Sequence, residues 1–204
     1  SLVQAASWAS AAREETARRM ALERGRYYTP NGGLERYLAL LDQPPDFTDT
    51  PIFLLRGGVG VGKTALVNCL ADYLSDHYPN PWFDAIKSIK DFPRPNRGRI
   101  LTTATAAKIA YTEERNKWAL KGRFTAHKDG ANFERRFRYK NGSEYDILTS
   151  DQAPSEGESV TLRWAIVDEP LKLDHWTALI SRMRFGGPIF YIMTPLEGSG
   201  WVHD

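Results

Sequence analysis

Cysteine is almost missing from this sequence of 204 residues. Cys69 stands alone, so no disulfide can form within the chain. It sits in the apolar run from Ala65 to Ala71, where a buried thiol is the expected state, and a reducing, intracellular setting fits that usage. The four histidines, His77, His127, His175 and His203, share no metal-ligand spacing, so a zinc site is not expected. No apolar run approaches the ~18 residues of a membrane-spanning helix, and none is expected. Glu14, Glu15 and Glu23 argue against reading the Ala- and Arg-containing start as a signal or transit peptide. Charge of one sign is lacking too. The formal net charge is +2, so any nucleic-acid surface has to be a local patch. Neither a serine–histidine–aspartate arrangement nor a glycosidase-like carboxylate pair is legible, and there is no internal repeat.

What is present has the composition of an ordinary soluble globular protein, long enough for one well-buried domain. Residues 2 to 24 are rich in Ala, Glu and Arg, and Glu14→Arg18 and Glu15→Arg19 are spaced i,i+4, which predicts an exposed helix. A turn-rich stretch, 28 to 33, leads to a helical pattern at Leu34, Tyr37, Leu38 and Leu41, ended by Pro44-Pro45. Ile52 to Leu55 is uniformly apolar, as expected of a strand buried on both faces. A helix is predicted from Lys63 to about Tyr78, then a proline-rich loop with a short helix up to Pro95, a strand near 99–104, and a helix over 106–120. Phe133, Phe137 and Tyr139 alternate with Arg136, Arg138 and Lys140. Asn141-Gly142 then turns the chain back through Tyr145 and Ile147, which predicts a β-hairpin. Residues 150–159 read as a loop. Trp164 to Val167 is another strand. A helix capped by Asp174 follows, with the stripe Trp176, Leu179, Ile180 and Met183 and a close at Gly186-Gly187. Ile189 to Met193 is the last strand. Strands alternating with helices predict an α/β fold with a mostly parallel sheet.

Two motifs carry chemistry. Gly57-Gly58-Val59-Gly60-Val61-Gly62-Lys63-Thr64 matches the phosphate-binding loop. Its glycines let successive backbone N–H groups turn towards phosphate oxygens, and the helix that starts at Lys63 and runs through Ala65 aims its positive end at them. Lys63 offers an ammonium to the β- and γ-phosphates, and Thr64 a hydroxyl to Mg²⁺. The strand Trp164 to Val167 then ends in Asp168-Glu169. A carboxylate at that place can hold Mg²⁺ (Asp168), and its neighbour can polarise a water (Glu169). The pair favours ATP hydrolysis over phosphoryl transfer to a small acceptor. Thr194, at the end of the last strand, is either a sensor of the γ-phosphate or a hydroxyl that satisfies a strand-end carbonyl; local sequence leaves both open. Arg135, Arg136, Arg138 and Lys140, with Lys121, Arg123 and Lys128 upstream, form either a phosphate-binding patch or a solvated strand face. The same holds for Arg94, Arg97 and Arg99.

Taken in order, Asn141 to Gln152, Trp164 to Pro170, Gly186 to Gly198 and Trp201 to Asp204 resemble the ATPase domain of large terminase subunits, the motors that package DNA into tailed-phage capsids. The tail Thr194-Pro-Leu-x-Gly198-x-x-Trp201-Val-x-Asp204 is the most specific part, and the likeness runs from about Tyr28 to the end. It implies an ASCE-type P-loop NTPase fold with an inserted hairpin, in which the Thr194 strand lies between the strands that lead to the P-loop and to Asp168. It divides the chain into an N-terminal helical segment, 1–27, and an ATPase domain, 28–204, without the nuclease domain, so no DNA cleavage is expected. It implies ATP and Mg²⁺ as ligands, with Thr64 and Asp168 on the metal and Lys63, Glu169 and Thr194 in catalysis and coupling. Residues 28–37 would face the adenine. Double-stranded DNA, a portal protein, a small terminase subunit and a ring of like subunits are the implied partners. The implied location is the infected cell's cytoplasm, transiently at the procapsid portal, and not the mature virion or a membrane. The chain departs from the family in three places. No arginine stands at Val59 or its neighbours within the loop, Leu34-Glu35 replaces a frequent Gln, and Glu156-Gly157 replaces a frequent Arg-Gly. The arginine finger is left to Arg163, Arg182 or Arg184, with Arg56 near the loop. A helicase or AAA+-like remodeller, and an ATP-binding assembly module with negligible turnover, are the alternatives.

Overall fold

The computed structural model describes residues 2–22, 24–41, 50–57, 61–113, 115, 122–154 and 160–194. Its centre is a seven-stranded sheet in the order β1-β7-β6-β2-β5-β4-β3. The strands are β1 (Ile52–Arg56), β2 (Arg97–Thr102), β3 (Phe124–His127), β4 (Arg136–Tyr139), β5 (Glu144–Thr149), β6 (Trp164–Asp168) and β7 (Ile189–Met193). Five run parallel (β1, β7, β6, β2 and β5), and β4 and β3 complete an antiparallel edge. The strand that ends at Thr194 thus lies between the P-loop strand and the Asp168 strand. The fold is the α/β arrangement expected from the sequence.

Alternation along the strands sorts side chains into two cores. On one face Ile100, Ile147, Trp164, Ile166, Phe190 and Ile192 pack with Leu66, Leu70 and Leu74 of α3 (Lys63–Ser75), and with Leu34 and Leu38 of α2 (Gly32–Leu40). On the other, Leu101, Val167, Ile189, Tyr191 and Met193 pack with Leu179 of α7 (Leu173–Ile180) and with Met183 beyond it. Cys69 is buried in α3. Gly98 of β2 lies directly beside the indole of Trp164. A Cβ there would fall 1.9 Å from a ring carbon, so the close approach demands glycine.

Several elements differ from expectation, each for a physical reason. β1 is not buried on both faces: it is an edge strand, with Ile52 and Leu54 exposed and Leu55 buried. β7, flanked by strands on both sides and covered on both faces, is the strand buried throughout. The hairpin is present and continues the main sheet. Asn141-Gly142 turns as predicted, with Gly142 at φ +89°, but β5 also pairs with β2, and β3 adds a third antiparallel strand. The stretch 79–95 holds two short helices, α4 (Pro81–Asp84) and α5 (Lys87–Lys90). The helix expected over 106–120 is the short α6 (Ala104–Lys108) running into a π-turn, Ile109–Glu113; residues 114 and 116–121 lie outside the described residues. Asp174 is not the cap of α7. Lys172 holds the cap position with no side-chain hydrogen bond, and Asp174 accepts from the His175 amide, 2.8 Å, inside the first turn. Buried His175 takes the inward position expected of Ile180, which is exposed, because residues four apart (175, 179) share a helix face. The first helix, α1 (Leu2–Leu22), is exposed where described. It is laced by Glu15 to both Arg18 (2.7 Å) and Arg19 (2.8 Å), while Glu14 instead accepts from Ser10. No helix among the described residues is long and apolar enough to cross a membrane.

Candidate nucleotide site

A parallel sheet gathers the C-terminal ends of its strands at one edge, and the sequence motifs collect there. Gly57 follows β1 and donates its amide to Met193 O at the end of β7, 3.1 Å. Gly58, Val59 and Gly60 lie outside the described residues. Gly62, at φ +88°, stands at the N-cap of α3 with no side-chain hydrogen bond to the helix. A positive φ is comfortable only for glycine, and a cap residue without a side chain leaves the first amides of the helix for another acceptor such as an anion. Lys63, Thr64 and Ala65 form the first turn, all partly buried. Lys63 Nζ reaches back 2.7 Å to Gly57 O, so the ammonium spans the loop. Asn31 latches α2 to this loop. Its oxygen accepts from the Leu34 amide at the start of α2, and its Nδ2 donates to Val61 O at 2.5 Å.

On the other side of β7, Glu169 donates its amide to Ile192 O, 2.9 Å. Its φ is +74°, a left-handed conformation that costs a non-glycine residue about 1–3 kcal/mol. The turn brings its carboxylate to Thr194: the Thr194 hydroxyl donates to Oε1 at 2.9 Å, and the Thr194 amide lies 3.3 Å from the same oxygen. Asp168, largely buried at the end of β6, accepts from Tyr111 at 2.5 Å and from Thr102 at 3.4 Å, both on Oδ2. Burial pushes its carboxyl above the ordinary range, and the Glu169 charge adds to this. The Tyr111 and Thr102 hydrogen bonds and the field of Lys63 oppose the rise. β1 and β6 run parallel on either side of β7, so the two motifs end at the same edge of the sheet.

The donor set suits a Mg²⁺ ion brought by a phosphate. Thr64 offers a hydroxyl and Asp168 an oxygen, Oδ1, that takes no hydrogen bond from the described residues; both are hard donors, and such an ion draws its remaining ligands from phosphate and water. No group of three or more His, Cys, Asp or Glu side chains among the described residues forms a ready-made metal cage.

Other candidates lie apart from this edge. Tyr28 and Tyr37 of the segment 28–37 are core residues: Tyr28 stacks on Phe83 (6.0 Å), and the Tyr37 hydroxyl donates to Phe53 O at 3.1 Å. Asn31 is the member that reaches the loop. Arg163 precedes β6 and donates to Phe185 O, while the Leu162 amide bonds Arg182 O. These residues therefore stand at the N-terminal edge of the sheet, roughly 17 Å from Asp168 by the length of β6. Several of the basic residues are paired on the sheet: Arg97 and Arg138 flank Glu144, Arg99 holds Asp146 with two bonds, and Arg136 meets Asp129. Arg123 meets Asp76 at 2.5 Å. Glu156, Gly157 and the tail 195–204 fall outside the described residues. Sequence reasoning misses Tyr111 and Thr102, since no motif marks them. Asn31, an Asn just before a helical pattern, carries a legible cap signal.

No protein-family model matches the sequence, and no curated protein matches it either. Solved structures do. The large terminase of a thermophilic bacteriophage superposes with a TM-score of 0.55 at 13% identity, over 82% of this chain and 39% of that one. The large terminase of bacteriophage HK97 gives 0.55 at 14% identity, over 79% and 32%. The thermophilic phage's protein in complex with ADP gives 0.53 at 12% identity, over 81% and 39%. This chain thus spans between 32% and 39% of its neighbours' length. At such identities the likeness is one of fold, and the fold of this chain is the one found in bacteriophage large terminases.

Proposed function

We propose that this chain is the ATPase motor domain of a viral DNA-packaging terminase, hydrolysing ATP to drive double-stranded DNA into a procapsid. The observation that carries the reading is the convergence at one sheet edge of Lys63 and Thr64 with Asp168, Glu169 and Thr194, residues far apart in sequence. The fold shared with the phage terminases, one of them solved with ADP, supports it. Lys63 and the first amides of α3 hold the triphosphate. Thr64 and Asp168 hold Mg²⁺, which when bound neutralises phosphate charge. Glu169 takes the proton from the attacking water. Thr194, bonded to the Glu169 carboxylate, ties the base to the chain that continues from β7 and so couples hydrolysis to movement. Double-stranded DNA, a portal protein, a small terminase subunit and a ring of like chains are the partners of this reading. Its place is the infected cell's cytoplasm and, during packaging, the procapsid portal.

A second reading, an ATP-binding assembly module with negligible turnover alone, is favoured by the position of Arg163 and Arg182 at the opposite edge from the site. The test is ATP turnover and calorimetric ADP binding for wild type, Lys63→Ala and Glu169→Ala, with and without double-stranded DNA. Lys63→Ala should lose nucleotide binding. Glu169→Ala should bind ADP normally and turn over about 10²–10⁴-fold more slowly. Unchanged turnover in Glu169→Ala would sink the catalytic assignment.

A further inference from the structure

Asp168 is held unevenly. Both side-chain hydrogen bonds it receives, from Tyr111 and Thr102, land on Oδ2, and Oδ1 receives none from the described residues. Tyr111, the closer donor, is fully buried and belongs to no recognised motif. It sits in the π-turn Ile109–Glu113, a form that occurs mostly as a single turn and is frequent at functional sites.

That turn is pinned from three sides. Asn68 of α3, also fully buried, donates its amide to Ala110 O at 3.0 Å. The Thr112 hydroxyl bridges Ala107 O at 3.2 Å and Glu134 O at 3.0 Å. Arg115, just beyond, is clamped between the rings of Phe124 and Phe137, each 4.0 Å from its guanidinium carbon, and donates to Asp72 at 2.6 Å. A hydroxyl so fixed presents one geometry to its acceptor.

We propose that Tyr111 is a positioning residue for the metal–nucleotide complex: it locks Oδ2 of Asp168 and so commits Oδ1 to the Mg²⁺ shell. The inference rests on the nucleotide reading above. Outer-shell partners of metal-ligating carboxylates fix their orientation, and losing one typically costs about 10–100-fold in metal affinity or activity. A phenylalanine at this position keeps the ring in its packing and removes only the lock. Thr102, at the end of β2, contributes the longer bond and a smaller share.

The experiment is calorimetric titration of ADP into wild type, Tyr111→Phe, Thr102→Val and Asp168→Asn, each with and without Mg²⁺. It is joined by Mn²⁺ binding to the ADP complex, read by electron paramagnetic resonance. Tyr111→Phe should bind ADP like wild type without Mg²⁺, lose about tenfold of the Mg²⁺-dependent gain, and bind Mn²⁺ correspondingly more weakly. Thr102→Val should move the same readings in the same direction by less. Adding Tyr111→Phe to Asp168→Asn should change nothing further. A wild-type Mg²⁺-dependent gain in Tyr111→Phe overturns the proposal. So does an equal loss with and without Mg²⁺, which would mark a structural role. Should Tyr111→Phe fail to fold, an unchanged Mg²⁺-dependent gain in Thr102→Val overturns it instead. A wild-type chain that binds no ADP under either condition overturns the nucleotide reading and this one with it.

Discussion

At the scale of single residues, Glu169 is the clearest sign that a side chain is retained against backbone preference. Its φ of +74° is glycine's territory, yet its carboxylate meets Thr194 and its amide holds β7. Glycine at 169 would relieve the strain and alanine would not, while both remove the carboxylate. The usual order, in which alanine is the more stable of the two by about 0.4–1 kcal/mol through the unfolded chain, should therefore reverse. Glu169→Gly is expected to be about 1 kcal/mol more stable than Glu169→Ala in denaturant unfolding, with both equally inactive. If Glu169→Ala proves the more stable, the left-handed backbone at 169 carries no strain.

At the scale of elements, Arg115 binds pieces of the fold that have no sequence proximity. It donates to Asp72 on α3, to Tyr139 on β4 and to Tyr145 on β5, beneath Phe124 of β3. Burial alone would lower its pKa, but Asp72 and the two tyrosines reverse this and push it up, so the guanidinium keeps its charge. Removing one member leaves the other charge stranded. Asp72→Ala should cost about 3–5 kcal/mol of stability, and the apolar pair Asp72→Leu with Arg115→Met should recover most of it. Unfolding in urea decides this, and an Asp72→Ala protein as stable as wild type would show the charge to be satisfied otherwise. Arg115 also marks the limit of what is legible in the sequence. Its neighbours read as an ordinary helix, and the one clue, an acid within the apolar run of α3, does not say which cation will meet it. The β4–β5 turn is legible because Asn-Gly between alternating runs is a local code. β1 misleads because a uniformly apolar run is the same whether one strand or two flank it, and β3 escapes because four residues are too few to show a period. The candidate phosphate loop and Asp168-Glu169 stand out because each is a run of adjacent residues. Tyr111 and Thr102 meet Asp168 only through contacts across the fold.

At the scale of the whole molecule, the parallel sheet separates two edges. Residues of the candidate nucleotide site gather at the C-terminal ends of β1, β6, β7 and β2, whereas Arg163 lies at the start of β6, with Arg182 beside it and Arg184 just beyond. No rotation of an arginine side chain closes roughly 17 Å, so none of these serves its own chain's site by a local movement. A second copy that sets this edge against the first copy's site removes the difficulty, and a ring repeats the contact all round. Arg182 is buried, which leaves Arg163 and the exposed Arg184. Arg56, at the site's own edge, is the competitor acting within one chain. If the arginine comes from a neighbour, turnover per chain rises steeply with protein concentration. The Arg163→Ala/Arg184→Ala double variant binds ADP normally and hydrolyses ATP at least about 10³-fold more slowly. Mixing that variant with Glu169→Gln restores activity, because some contacts then pair an intact Glu169 on one copy with intact arginines on the next. A double variant at the wild-type rate, together with an inactive Arg56→Ala that no mixture rescues, would place the arginine within the chain and remove the need for a ring in hydrolysis.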